Sequence, residues 1–442
     1  MPCVSILKTY HVTPSPGIDS NISTFQEKLS LSILDLNWLR MPYTQPLFLY
    51  PDTTVHSFPS IVRSLKSSLS TTLTKFYPFA GKIDFIQDTG DVIIDCTHCS
   101  VEFVEAECSV DIKQLTENDV HDTVMYMELV PEIDRSTLPI PAMAVKVTRF
   151  TGGGVAIGLA IHHAVADGNG KRMFYEAWSA VCRGDLDLFN KMVVLHDRKI
   201  LKHPNDEEVA RSFIKKAYPT LPFLGGRATP MEERLRLQRR TFMLSSPAIQ
   251  SLKKRIRDEL NEPQHYASTF TTIAAYIWVC LAKTNINSAN DITALLYLLD
   301  WRSRVEPVIT EYGGNCLRTG YADGGWSELR SVNGLSRAQV LIGSAIKKDA
   351  EGGMYSGEDK GFEKFRQTPE SGRVILSRSN RLMCSQTDFG WGRPGRFEMA
   401  GLNCKGEVML DGMGGGDVKV SIALEPDQMH VFAAVFREGL NP

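Results

Sequence analysis

The sequence predicts an α/β fold with two domains of similar size, and three observations support this prediction. The chain has 442 residues, more than one hydrophobic core of ordinary size accommodates. In both halves, segments with helical spacing of apolar residues mix with short apolar runs typical of strands. A polar stretch containing Pro and Gly separates the halves. We therefore expect an N-terminal domain at 1–185, a crossover at 186–230 and a C-terminal domain at 231–442.

Composition excludes several functional classes. Hydrophobic residues make up 43% and charged residues 23%, as in globular proteins with large cores. A formal net charge of -2 leaves no basic surplus for a dedicated nucleic-acid binder. We expect a cytoplasmic chain, because no apolar run is long enough to span a bilayer and the first residues lack a signal-peptide pattern. Nine scattered cysteines favour free thiols, and the lone pair Cys96 and Cys99 lacks a second pair for zinc, so we expect no metal.

Periodicity predicts the elements of the first half. A helical stripe ends before Tyr77 and consists of Ile61, Leu65, Leu69 and Leu73. Residues 142–150 and 155–161, with Thr-Gly-Gly-Gly between them, predict a β-hairpin. A phosphate-binding loop precedes a helix, whereas these glycines precede a strand, so we interpret them as a turn. A further helix is predicted to begin near Asn169, because apolar positions from Met173 to Val181 have helical spacing.

The second half also mixes helices and strands. Residues 246–258 and 270–283 have the pattern of helices, the second almost wholly apolar. Apolar runs at 294–299, 418–423 and 431–436 predict strands.

Residues 162–168 read HHAVADG and directly follow the predicted strand 155–161. Histidine is the side chain best suited to move protons near neutral pH, and His163 is the candidate base because one turn can hold both it and Asp167. Gly168 would permit an unusual backbone angle there. The alternative is a polar strand end, since ten histidines make a chance H-x-x-x-D match unremarkable. No G-x-S-x-G string and no cysteine with an activating neighbour supports covalent catalysis.

Residues 387–392 read TDFGWG, a second unusual string. Its Asp388 would need a partner if buried, and the arginines of DWRSR at 300–304 are the expected partners. A tight turn filled by an aromatic ring is the alternative interpretation of the same residues.

HHAVADG and DFGWG, about half the chain apart, together resemble the plant BAHD acyl-CoA-dependent acyltransferases. The likeness extends through KFYPFAGK (75–82), HDR (196–198), STFTTIAAYIWVCLAK (268–283), DWRSR and YGGNC (312–316). YGGNC, the STF helix and the terminal ALEPDQMHVFAAVFREGL resemble the branch that acylates anthocyanins and other flavonoid or phenolic glycosides.

The sequence departs from the family pattern at three places. Gly313 replaces a phenylalanine, Glu306-Pro307 replaces a double proline, and RSNR at 378–381 replaces Gly-Ser-Pro-Arg. These departures bear on substrate choice, because none affects His163 or Asp167.

The resemblance implies two chloramphenicol-acetyltransferase-like domains, with mixed sheets flanked by helices, meeting at an active-site channel. It implies that His163 takes the proton of an acceptor hydroxyl as the oxygen attacks the thioester of acyl-CoA, with no acyl-enzyme and no permanently bound cofactor. Asp167 is implied to turn away from His163 and pair with Arg302, shaping the turn. His162 is expected to be structural, because neighbouring side chains in an extended segment face opposite ways. Bracing of the channel is assigned to Asp388, Gly390, Trp391 and Gly392.

Substrate contacts are predicted at three further places. Lys171 and Arg172 lie one helical turn after Asp167 and would pair with the carboxylate of a malonyl donor, although a solvated helix start is the alternative. Donors to the oxyanion or the acceptor are expected at Ser379 and Thr387. The phosphates of CoA would contact Lys253 and Lys254, for which an exposed helix face is the alternative.

The sequence therefore predicts an acyl-CoA-dependent O-acyltransferase, with malonyl-CoA favoured over hydroxycinnamoyl-CoA. The acceptor would be a hydroxyl of a flavonoid, anthocyanin or other phenolic glycoside, and the expected state is a monomer. Two alternatives remain: a BAHD enzyme acting on a free phenolic, an alcohol or an amine, and a non-catalytic binding protein of the same fold.

Overall fold

The described part of the chain contains two six-stranded sheets and one four-stranded sheet. The structure, a computed structural model, describes residues 3–15, 27–53, 57–201, 205–225, 231–285, 291–355, 365–401 and 404–440. The strands are β1 (Val4–Val12), β2 (Lys28–Ser30), β3 (Pro46–Tyr50), β4 (Lys82–Ile86), β5 (Asp91–Asp95), β6 (Val101–Cys108), β7 (Ile140–Pro141), β8 (Met143–Phe150), β9 (Val155–Ile161), β10 (Gln238–Leu244), β11 (Thr293–Asp300), β12 (Leu317–Gly324), β13 (Arg373–Arg378), β14 (Arg396–Met399), β15 (Glu407–Gly412) and β16 (Val418–Leu424). The α-helices are α1 (Ile33–Leu36), α2 (Phe58–Thr72), α3 (Ile112–Glu117), α4 (Thr123–Glu128), α5 (Gly168–Cys182), α6 (Leu186–Lys191), α7 (Asp206–Ala217), α8 (Met231–Arg236), α9 (Ser246–Leu260), α10 (Thr269–Thr284), α11 (Trp326–Arg330), α12 (Gly334–Gly352) and α13 (Pro426–Glu438). Within the described part of the chain, no helix is both long and apolar enough to cross a membrane.

Both large sheets are mixed. The first has the strand order β1-β6-β8-β9-β3-β14, and the second has the order β10-β16-β15-β13-β11-β12. In the first sheet β6 and β8 run parallel while β8 and β9 run antiparallel. In the second sheet β13 runs parallel to both β11 and β15. The predicted α/β class, with mixed sheets flanked by helices, is confirmed.

The first hydrophobic core positions the strand that leads into HHAVADG. Strands β8 and β9 form the predicted hairpin, whose turn requires glycine because Gly153 and Gly154 have φ of 101° and 90°. Every residue of β9 is buried. Helices α2 and α5 pack against each other, and Trp178 Nε1 donates to the Leu65 carbonyl at 3.2 Å. The segment that follows β9 therefore begins on a rigid base.

The second core is built around α10, which buries twelve of its sixteen residues. Helix α13 packs against it, at the position where the sequence predicted a strand over 431–436. That prediction was wrong. The buried residues of α13 recur at intervals of three and four, the helical period, and Pro426 stands in its first turn, where proline is favoured. These buried residues are Met429, Phe432, Ala433 and Phe436.

The two halves of the chain share a sheet. Strand β14, from the second half, pairs with β3 at the edge of the first sheet, with Phe397 opposite Phe48.

The stretch interpreted as a crossover contains the regular helices α6 and α7, and α7 has acidic residues in its first turn and lysines in its last. The domain boundaries at 1–185, 186–230 and 231–442 remain a prediction.

Candidate active site

The HHAVADG segment is a strand-to-helix turn, as the sequence predicted. The backbone N–H of His162 continues the pairing of β9 by donating to the Ala142 carbonyl at 2.9 Å. Asp167 then caps α5, because its Oδ1 accepts hydrogen bonds from the N–H groups of Asn169 and Gly170, each at 3.0 Å. His163 lies between a buried strand and a capped helix, so both flanks fix the path of its backbone.

His163 lies against an aromatic ring and is partly buried. Its imidazole stacks on the indole of Trp38, with 4.1 Å between centroids and 24° between planes. Its Nδ1 is buried and makes no hydrogen bond with any described residue. Burial lowers the pKa of His163 well below 6.5, and the nearby Lys171 cation and His162 lower it further. The imidazole is therefore neutral near pH 7, the form that accepts a proton.

His162 has the surroundings of a core residue. It is fully buried, its Nδ1 accepts a hydrogen bond from the Ala164 N–H at 3.2 Å, and its ring meets Tyr43 edge-on at 5.1 Å. Burial lowers its pKa to about 3. The structural role expected for His162 agrees with this placement.

Asp167 points into the second half of the chain. Its two oxygens accept a bidentate pair of hydrogen bonds from Arg302, at 2.8 and 2.9 Å, and Oδ2 also accepts from the Cys316 N–H at 2.9 Å. The predicted pairing of Asp167 with Arg302 is therefore present. The carboxylate cannot also orient His163, because its hydrogen bonds go to the α5 cap, Arg302 and Cys316.

Position 168 requires glycine for a different reason than the sequence suggested. It is the first helical residue of α5 and its φ is not positive, so the expected unusual backbone angle is absent. A Cβ at this position would lie 2.8 Å from Leu382 Cδ1, so the requirement is space between α5 and the loop after β13. Gly170 is more tightly enclosed, because a Cβ there would collide with the Gly313 carbonyl oxygen.

The two adjacent cations on α5 have opposite environments. Arg172 lies on the helix surface, where it pairs with Glu176 at 2.8 Å and contacts Asn169 at 3.2 Å. Lys171 is only 5% exposed, and its ammonium group makes no hydrogen bond or ion pair with any residue that the structure describes. Burial lowers its pKa to about 7, Asp167 opposes this shift, and Arg378 adds to it. A buried cation without a counter-ion, close enough to depress the pKa of His163, is a strong candidate for an anion contact.

The DFGWG loop does not pair with the arginines of DWRSR, which corrects that expectation. Asp388 Oδ1 accepts hydrogen bonds from the N–H groups of Gly390 and Gly392 in its own loop, at 2.7 and 3.0 Å. These glycines have φ of 102° and 88°, so the loop closes on its own aspartate. Arg302 pairs instead with Asp167 and Asp300, because its guanidinium lies beside those carboxylates.

The aromatic residues of this loop pack on the N-terminal half. Phe389 meets Trp178 edge-on at 5.0 Å, and Trp391 meets Tyr50 at 5.6 Å. Trp178 lies about 16 Å along the α5 axis from Asp167, at the rise per residue of an α-helix. The DFGWG loop therefore packs against the N-terminal half near the C-terminal end of α5, whereas His163 precedes the N-terminal end of this helix.

The remaining predicted contacts lie in three separate places. Ser379 follows β13 and its Oγ accepts a hydrogen bond from the Arg381 N–H at 3.3 Å, in the loop that carries Leu382 to Gly168. The Thr387 carbonyl accepts from Tyr50 Oη at 3.0 Å, within the packing of the DFGWG loop. On α9, Lys254 is exposed, and Lys253 donates to Thr269 Oγ1 at 3.1 Å.

Sequence reasoning missed three residues that contact the turn. Trp38 stacks on His163, Asn315 donates to the His163 carbonyl at 2.9 Å, and Arg198 donates to the Val165 carbonyl at 2.7 Å. Asn315 belongs to the YGGNC string and Arg198 to the HDR string. Both strings indicated the family, but neither indicated a hydrogen bond to the turn. Nothing in the sequence around Trp38 indicated it.

Metal ligands do not cluster at this site. Over the residues that the structure describes, no group of three or more His, Cys, Asp or Glu side chains is placed to hold an ion. Cys99 Sγ donates to the Cys96 carbonyl at 3.2 Å, and both cysteines are free.

Comparison with known proteins identifies relatives along the whole chain. The family model described as the Transferase family matches residues 3–438. Malonyl-coenzyme A:anthocyanin 3-O-glucoside-6''-O-malonyltransferase of Dahlia pinnata is 27% identical, over 100% of this chain and 98% of that protein. Agmatine coumaroyltransferase of Arabidopsis thaliana is also 27% identical, over 99% of each chain. The crystal structure of vinorine synthase has a TM-score of 0.72 at 20% identity and covers 97% of this chain and 96% of that one, so the predicted chloramphenicol-acetyltransferase-like fold is confirmed.

Proposed function

Because the chain belongs to the Transferase family of acyl-CoA-dependent acyltransferases, the BAHD family, we propose that it malonylates a sugar hydroxyl of a flavonoid, anthocyanin or related phenolic glycoside. Acyl-CoA is the co-substrate of this enzyme. The identities of the acyl group and of the acceptor are the proposed part.

One observation carries the choice of donor: the buried Lys171 has no counter-ion among the described residues. A malonyl thioester ends in a carboxylate, which would supply the missing charge and a charge-assisted hydrogen bond. A coumaroyl group would bring no negative charge to this position. Arg172 is left out of this assignment, because Glu176 already neutralises it on the helix surface.

The names of the relatives support the proposal and also suggest a competing choice of donor and acceptor. The Dahlia relative is named for malonyl transfer to an anthocyanin glucoside, whereas the agmatine relative is named for coumaroyl transfer to an amine. Both have the same identity to this chain, so the chemistry of the site has to decide between them.

His163 supplies the base in this proposal. Because Nδ1 is buried, we assign the proton transfer to Nε2, which accepts the hydroxyl proton as the acceptor oxygen attacks the thioester carbonyl. Collapse of the tetrahedral adduct breaks the carbon–sulfur bond, and the imidazolium returns the proton to the CoA thiolate. A general base contributes about 10²- to 10⁴-fold, so orientation of the two substrates and stabilisation of the oxyanion supply the rest.

A substrate panel tests the proposal. Malonyl-, acetyl-, coumaroyl- and caffeoyl-CoA are each offered with mixed flavonoid glucosides and with agmatine, and free thiol and product mass are followed. We expect a malonylated glucoside as the main product and loss of thiol release in His163→Ala. An amide of agmatine as the main product would establish the amine-acylating alternative, and no thiol release from the unmodified protein would establish a binding protein.

A further inference from the structure

Asp35 accepts hydrogen bonds from the N-cap of its own helix and from two distant parts of the chain. It is fully buried in α1, where Ser32 donates to its Oδ2 from both the backbone N–H, at 3.0 Å, and the hydroxyl, at 2.8 Å. Arg198 Nε donates to the same oxygen at 3.3 Å. Asn315 donates to Oδ1 from its backbone N–H, at 3.3 Å, and from Nδ2, at 2.8 Å.

Both distant partners of Asp35 also hold the HHAVADG turn by its backbone. Nδ2 of Asn315 donates to the His163 carbonyl at 2.9 Å as well as to Asp35. One guanidinium nitrogen of Arg198 donates to the Val165 carbonyl at 2.7 Å. Arg198 and Asn315 are 4% and 0% exposed, so water does not compete for these contacts.

The helix that carries Asp35 also reaches the imidazole. The backbone N–H of Trp38 donates to the Asp35 carbonyl at 3.0 Å, and the Trp38 indole stacks on the His163 ring. Asp35 is therefore connected to His163 by two routes, one through Asn315 to the backbone and one through Trp38 to the ring.

We propose that Asp35, Asn315, Arg198 and Trp38 are positioning residues that hold the His163 imidazole for proton transfer, as a brace separate from the Asp167–Arg302 pair. The adjacent Asn315 and Cys316 contact opposite ends of the turn, because Asn315 holds the His163 end and the Cys316 N–H holds Asp167. A displacement of about 1 Å in a catalytic group can lower the rate about 100-fold, so such a brace affects turnover more than substrate binding.

The proposal rests on His163 as the base, and the experiment separates the two ideas. Three variants are compared: Asn315→Ala removes the backbone contact, Trp38→Leu removes the stacked ring, and Trp38→Phe keeps an aromatic ring there. Tyr126→Phe is the matched control, because it removes buried hydrogen bonds in a different cluster. The Tyr126 hydroxyl donates to the Leu115 carbonyl at 2.9 Å and accepts from Arg396 at 3.3 Å. For each variant, kcat, the KM for acetyl-CoA, the pH profile of kcat/KM and the thermal midpoint are measured.

We expect kcat to fall about 10- to 100-fold in Asn315→Ala and Trp38→Leu, with the KM for acetyl-CoA changing less than about threefold. Trp38→Phe should recover most of the lost kcat, and Tyr126→Phe should keep it. In Trp38→Leu the acidic limb of the pH profile should move up towards 6.5, because the ring that covers His163 is lost while Lys171 and His162, which also lower the pKa of His163, remain.

Two results would overturn the brace. One is a kcat in Asn315→Ala and Trp38→Leu within about twofold of the unmodified enzyme while His163→Ala is inactive. The other is a fall in kcat equal to that of Tyr126→Phe when both variants lose the same amount of thermal midpoint, with the acidic limb of the pH profile unchanged. Full activity in His163→Ala would instead refute the assignment of the base.

Discussion

Arg302 and Asp167 form a bidentate ion pair, with nitrogen–oxygen distances of 2.8 and 2.9 Å, although 135 residues separate them in the chain. Arg302 follows β11 in the second half, and Asp167 caps α5 in the first. Because both side chains are almost completely buried, each charge needs the other. The second half of the chain therefore fixes the turn that carries His163.

Breaking this pair from either side should destabilise the fold strongly. Asp167→Asn or Arg302→Met leaves one buried charge without its partner, which we expect to lower the free energy of unfolding by about 3–5 kcal/mol. The double variant should lose less than the sum, because it leaves no buried charge unpaired, and the side chain of Asp300, the other partner of Arg302, is 45% exposed to water. Urea denaturation of the three variants measures this, and strictly additive losses would show that the two side chains do not act as a pair.

Two glycines near the turn should respond differently to the same substitution. In Gly168→Ala the added methyl group meets the flexible tip of Leu382, so we expect a change within about 1 kcal/mol. In Gly170→Ala it meets the backbone oxygen of Gly313, which cannot rotate away, so a loss of about 1–3 kcal/mol or more is expected. Thermal unfolding of both variants makes the comparison. Equal losses would indicate that α5 shifts freely relative to the YGGNC loop.

With an uncharged donor, activity should persist well below pH 6.5. Burial, Lys171 and His162 all lower the pKa of His163, so its neutral, proton-accepting form survives at a pH where an exposed histidine is already charged. The profile of kcat/KM reports the free enzyme, and its acidic limb should follow this lowered pKa. Acetyl-CoA is the suitable donor, because Lys171 has no acyl carboxylate to bind. An acidic limb at 6.5 or above would contradict the buried environment of the base.

The preference for a charged donor should weaken as the pH rises. The pKa of Lys171 is lowered to about 7 by burial, with Asp167 opposing and Arg378 adding to the shift, so the free enzyme loses this cation above neutrality. We expect the ratio of kcat/KM for malonyl-CoA to that for acetyl-CoA to fall more than about tenfold between about pH 6 and about pH 9. A ratio independent of pH would mean that Lys171 does not contact the donor.

Local patterns predicted the elements around the site because their causes are local. The hairpin of β8 and β9 and the start of α5 follow from alternation, glycine turns and helical spacing within short segments. The run at 431–436 failed because a short apolar segment fits either a strand or a helix, and packing against α10 decides between them.

Spacing alone predicted the site only where its residues share a segment, whereas the distant pair Asp167 and Arg302 was predicted from the family resemblance. His163 and Asp167 lie in one turn, so their spacing pointed to them. Trp38 and Asn315 reach His163 through tertiary contacts that leave no spacing signal in the sequence. For Asp388 the sequence predicted a distant arginine as the partner, whereas the hydrogen bonds are local. N–H groups of its own loop donate to the carboxylate.

The most direct test of the account compares Lys171→Met with its neighbour Arg172→Met, by the ratio of kcat/KM for malonyl-CoA to that for acetyl-CoA. Lys171→Met removes the buried cation but keeps an unbranched side chain, and Arg172→Met removes a cation already paired with Glu176. A charged hydrogen bond contributes about 1.5–3 kcal/mol, so we expect the ratio to fall about 10- to 100-fold in Lys171→Met and to stay unchanged in Arg172→Met. An unchanged ratio in Lys171→Met, or an equal fall in both variants, would contradict the assignment of Lys171 to the malonyl carboxylate.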